Sequence, residues 1–69
     1  MVMLDQNQIR DLRLAKGLSL TQFAAQLGCT EAAVRRWELG ERHPRWEMAK
    51  KLSDMWEEAK AGGKLATSA

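Results

Sequence analysis

The sequence is poor in the residues that build covalent or metal-based sites: among 69 residues it has one cysteine, Cys29, and one histidine, His43. A lone thiol excludes both an internal disulfide and a thiolate cluster for zinc. Carboxylates at ligand spacing around His43 are missing as well, so neither a metal nor another cofactor is expected. There is no paired acid and base, no nucleophile beside a base and no phosphate-cradling glycine loop, so an enzyme is not expected either. The longest apolar runs are a few residues, far short of the roughly 20 that span a membrane. No basic stretch followed by an apolar run opens the chain. The expected setting is cytoplasmic and reducing, with no membrane partner.

What is present is ordinary globular material, 45% apolar and 29% charged, so disorder is not expected. Sixty-nine residues make one domain. A chain this short buries only about 60% of the surface it would expose unfolded. Helices with short connections are the economical solution. The formal net charge of +2 and a pI near 9.0 permit a nucleic-acid partner without demonstrating one.

Gly17, Gly28, Gly40 and the single proline, Pro44, cut the chain into helix-sized pieces. The first runs from Leu4 to Lys16. Asp5 and Gln8 form a capping box there, Leu4 and Ile9 a hydrophobic staple, and Ile9, Leu12 and Lys16 fall on one face beside Arg13. The second repeats the same start: Ser19 with Gln22 as the box, Leu18 with Phe23 as the staple, then Phe23, Ala24 and Leu27 as the buried stripe. Thr30 caps a third piece ending at Gly40, with Val34 and Trp37 facing the core together. The fourth starts between Pro44 and Trp46 and runs to about Ala61, with a stripe of Met48 or Ala49, Leu52, Met55 or Trp56, and Ala59. Residues 1–61 are therefore expected to form the domain and residues 62–69 a flexible tail.

Only Gly28, Cys29 and Thr30 separate the second helix from the third. So short a turn makes two helices cross steeply, and a glycine at its start tolerates positive φ. Ala24 allows close approach, while Val34 and Trp37 fill the space beneath. Cys29 is read as a small buried apolar residue. In this order and spacing the stretch from residue 9 to residue 44, IRDLRLAKGLSLTQFAAQLGCTEAAVRRWELGERHP, resembles the lambda-repressor-like (Cro/Xre-type) helix-turn-helix family. The resemblance rests on Arg13, Phe23-Ala24, Gly28, Val34-x-x-Trp37-Glu38-x-Gly40 and Pro44, and covers about residues 8 to 56. It implies an all-α domain of four or five helices with a helix-turn-helix, whose third helix enters the major groove of DNA. It further implies a largely buried structural salt bridge between Arg13 and Glu38.

Under that docking, Thr30, Glu31, Ala32 and Arg36 are the candidates for base contact. Arg36 matches guanine O6 and N7 and Ala32 a thymine methyl, whereas Glu31 serves either cytosine N4 or the helix dipole. Ser19, Leu20 and Thr21 at the start of the second helix, with Arg35, Arg42, His43 and Arg45, are the candidates for phosphate contact, a cluster that Lys50 and Lys51 would extend. For His43 and the lysines, plain solvent exposure is the competing reading. Trp46 is expected to pack beneath the DNA-facing loop. Trp56, with Met55 beside it, belongs either to the core or to a dimer or partner contact. The function these features imply is a sequence-specific regulator of transcription, a repressor, binding double-stranded DNA as a homodimer on a near-palindromic operator. The alternative is a protein-interaction module such as the antitoxin of a toxin–antitoxin pair, acting through a protein partner.

Overall fold

A computed structural model describes residues 3–63, and these form four helices and no strand. Helix α1 spans Gln6–Ala15, α2 Leu20–Leu27, α3 Glu31–Leu39 and α4 Trp46–Ala61. The larger part of the expected tail, residues 64–69, lies outside the described residues.

The first three helices start on the side chains that their sequences nominate. The Gln8 amide donates to Asp5 Oδ1 at 2.8 Å, and the Asp5 amide donates back to Gln8 Oε1 at 2.9 Å. Ser19 and Gln22 repeat the exchange at 3.1 and 2.9 Å. Thr30 Oγ1 accepts from the Ala33 amide at 3.1 Å. Each cap satisfies donors that a helix start otherwise leaves unpaired. Helix α4 differs: Arg45 stands at its cap position and makes no side-chain cap bond.

The apolar stripes of the four helices converge on one core. Ile9 and Leu12 of α1, Phe23 and Leu27 of α2, Val34 of α3 and Leu52 of α4 are its fully buried members. Leu4, Ala24, Trp37 and Ala59 close it, and Leu18 packs against it, so both staple pairs feed the same cluster. Helix α2 packs chiefly on α3, while α1 touches both α3 and α4.

Three expectations need correction. Lys16 is exposed and lies past the end of α1, because the helix stops at Ala15 and the half-buried Arg13 takes the flank beside Leu12. Cys29 is half-buried rather than buried, since the turn it occupies runs along the surface. Trp46 does not pack beneath the loop: it is 63% exposed, on the flank of α4 turned away from Leu52. In the α4 stripe Ala49 rather than Met48 is buried; Met55 and Trp56 are both half-buried against the core, and Ser53 is buried.

Candidate nucleic-acid interface

The turn between α2 and α3 is built by backbone geometry. Gly28 takes φ 77°, in the left-handed region, and the amides of Gly28 and Cys29 both donate to the Ala24 carbonyl, at 2.9 and 3.0 Å. Bonds of this kind close the end of a helix and reverse the chain. Thr30 then caps α3 directly. Ala24, buried at the crossing, keeps the two helices close.

With Val34 and Trp37 turned inward, α3 presents Ala32, Arg35, Arg36 and Leu39 to solvent. At its start sits Glu31, whose Oε1 accepts from Thr21 Oγ1 of α2 at 3.2 Å and lies 3.5 Å from an Arg35 guanidinium nitrogen. At its end Gly40, with φ 77°, turns the chain into the loop that leads to α4. Leu39 is 60% exposed on this face; the helical spacing of EAAVRRWEL already turns it outward, though the sequence reading passed over it.

Beside the second half of α3 runs an open groove of about 580 Å³. Ala33, Trp37 and Met48 line it together with Arg36, Arg42, His43, Arg45 and Lys51, against the single carboxylate of Glu47. Arg36 and the loop cluster therefore share one strongly positive concavity, while Arg35 pairs with Glu31 at the other end of the helix. The amides of Ser19 and Gln22 are spent on the capping box, and that of Phe23 donates to the Ser19 carbonyl at 2.9 Å. This leaves the Leu20 and Thr21 amides at the positive end of α2 for an acceptor from outside.

Arg13 and Glu38 hold α3 against the rest of the domain. Arg13 Nε donates to Glu38 Oε2 at 2.8 Å and a terminal nitrogen donates to Oε1 at 3.1 Å. The other terminal nitrogen donates to the Leu18 carbonyl at 3.0 Å. One guanidinium thus ties α1, the α1–α2 turn and α3 together. Its hydrogen bonds to Glu38 hold the Arg13 pKa above its ordinary value, against the opposing cost of burial.

The two lysines expected to extend the basic cluster part company. Lys51 lines the groove and its Nζ donates to the Leu27 carbonyl at 3.3 Å, fastening α4 to the end of α2. Burial pushes the nearby Cys29 thiol up, and the Lys51 charge offsets part of that rise. Lys50 instead stands 5.9 Å from the Trp46 ring centroid, a cation–π distance. Neither the Lys51 tie nor the Thr21–Glu31 bond has a sequence signal, because each depends on how separate helices meet. No helix among the described residues is long and apolar enough to cross a membrane.

Residues 9–55 match the helix-turn-helix family model. No curated protein and no solved structure matches the chain. The matched stretch takes in all of α2 and α3 and most of α1 and α4, so the chain belongs to the helix-turn-helix family of the lambda-repressor-like, Cro and Xre type. Its general function is that of a DNA-binding regulator of transcription.

Proposed function

We propose that this helix-turn-helix protein is a sequence-specific repressor that binds a near-palindromic operator as a homodimer, each copy laying α3 in the major groove. The observation that carries the reading is the placement of Arg36 on the solvent face of α3, in one groove with Arg42, His43 and Arg45. A guanidinium there reaches guanine O6 and N7 while the loop cations meet the adjoining phosphates. Thr30 and Ala32 flank the same helix start, and the Leu20 and Thr21 amides, next to Ser19, offer a second phosphate site. Two copies with their third helices about 34–36 Å apart would occupy successive turns of the groove. A single module this small buries too little surface for tight specific binding, which motivates the dimer. Met55 and Trp56, half-buried on α4, are the proposed partner contact.

Selection of bound sequences from random duplex DNA, followed by titration across salt, tests this reading. The expected result is a defined motif, affinity that falls steeply with salt, and relaxed base preference in Arg36→Ala. Arg42→Ala is expected to weaken all duplexes about equally. A wild type that selects no motif would refute base reading.

The exposure of Leu14, Leu39 and Trp46 favours a second reading, a protein-interaction module of the antitoxin kind. Such a protein would keep its partner after Arg36→Ala and show little affinity for DNA.

A further inference from the structure

Three side chains from the two helices of the motif meet at one oxygen atom. Thr21 Oγ1 donates to Glu31 Oε1 at 3.2 Å, and an Arg35 guanidinium nitrogen lies 3.5 Å from that same oxygen. Glu31 Oε2 accepts no hydrogen bond among the described residues. All three side chains are exposed, at the end of α3 that leads into the groove of DNA under the proposed docking.

Resting on that docking, we infer that Glu31 reads a cytosine, and that Thr21 and Arg35 are positioning residues that aim its carboxylate. A carboxylate serving only the positive end of the helix dipole needs neither partner. Contacts to Oε1 from both α2 and α3 favour the rotamers that keep Oε1 beside Thr21 and Arg35 and leave Oε2 to accept elsewhere. A carboxylate is an acceptor only. On the major-groove edges of the bases the donors are cytosine N4 and adenine N6, and adenine sets its N7 acceptor beside N6. A carboxylate placed there is attracted by cytosine and opposed by the adenine N7, so the chemistry selects cytosine. The Arg35 charge next to it offsets the repulsion between Glu31 and the phosphates. The side chains of Thr21 and Arg35 therefore serve Glu31, and Thr21 offers a phosphate its backbone amide alone.

The test is selection from random duplex DNA with the full chain as wild type, Glu31→Gln, Glu31→Ala, Thr21→Val and Arg35→Met, each first checked for an unchanged helical spectrum and melting curve. The wild-type motif is expected to carry a cytosine at one position of each half-site, preferred on the order of tenfold in competition. Glu31→Gln is expected to exchange that cytosine for adenine, since an amide pairs with N6 and N7 together. Glu31→Ala flattens the position. Thr21→Val and Arg35→Met reduce the preference there a few-fold and leave the other positions alone. A motif whose every position survives both Glu31 substitutions overturns the inference while leaving DNA reading by α3 intact. Uniform weakening of all duplexes by Thr21→Val and Arg35→Met makes them phosphate contacts and overturns their positioning role. A wild type without any motif overturns the docking and the inference together.

Discussion

Replacing Glu38 by alanine should cost the domain a large part of its stability. The carboxylate takes two of the three hydrogen bonds that Arg13 makes, at 2.8 and 3.1 Å, and the side chains of the pair are only 14% and 10% exposed. Without Glu38 the guanidinium keeps only the Leu18 carbonyl and remains in a site with little access to water. Stranding one member of a buried pair costs roughly 3–5 kcal/mol, whereas exposed pairs are worth about 1 kcal/mol or less. The pair lies near the surface of a small domain, so the low end applies, ~3 kcal/mol. A chain of this length has a total stability of roughly 3–10 kcal/mol. The melting temperature should therefore fall by roughly 12–24 °C.

Urea unfolding followed by tryptophan fluorescence and by far-ultraviolet circular dichroism measures the loss. The apolar pair Arg13→Met with Glu38→Leu should recover most of it, because a well-packed apolar pair removes both desolvation costs at once. A loss below about 1 kcal/mol for Glu38→Ala would place the pair with exposed surface bridges and refute the reasoning. So would a double-mutant cycle showing no coupling between the two positions. A change in base preference without loss of stability would transfer Glu38 from holding α3 to reading DNA.

Further outcomes follow from single features. Gly28→Ala meets no atom within 4 Å but must hold φ 77°, so it should cost about 1–2 kcal/mol by chemical denaturation; an effect near zero would mean that the turn relaxes. The raised Cys29 thiol should alkylate more slowly in the folded than in the unfolded chain just above neutral pH. Because the folded state holds that proton more tightly, stability should decline as pH rises from the ordinary thiol range through the raised folded value, and Cys29→Ala should lessen the decline. Lys51→Met should remove about 1 kcal/mol with the Leu27 bond and raise the Cys29 thiol further, measured as still slower alkylation.

The helices were legible in the sequence where their signals are local. Asp5 with Gln8 and Ser19 with Gln22 state the starts of α1 and α2, and Gly28 and Gly40 state the ends of α2 and α3, since caps and positive φ involve residues a few positions apart. Val34 and Trp37 were legible for the same reason: a spacing of three fixes a face. Trp46 was misplaced because it occupies the first turn of α4, where a cylinder leaves a large side chain free to turn outward. The tie of Lys51 to the Leu27 carbonyl has no local signal because it spans 24 residues. The Thr21–Glu31 bond escaped for the same reason, being set by the crossing of α2 and α3.

The crossing also limits which residues are left to meet DNA. Nine residues form α3, and the fold uses its inner face twice, through Val34 and Trp37 in the core and through Glu38 on Arg13. Ala33 is half-buried against the core. Glu31, Ala32, Arg35, Arg36 and Leu39 remain, with Glu31 tied to Thr21 through one oxygen and Arg35 drawn back toward it. Arg36 is thus the one long donor of α3 that carries no structural contact, and it opens into the groove shared with Arg42 and Arg45. A substitution at Arg36 should change recognition with almost no effect on folding, whereas one at Glu38, two positions on, should do the reverse. Measuring both properties on both variants separates the side of α3 that holds the fold from the side that reads.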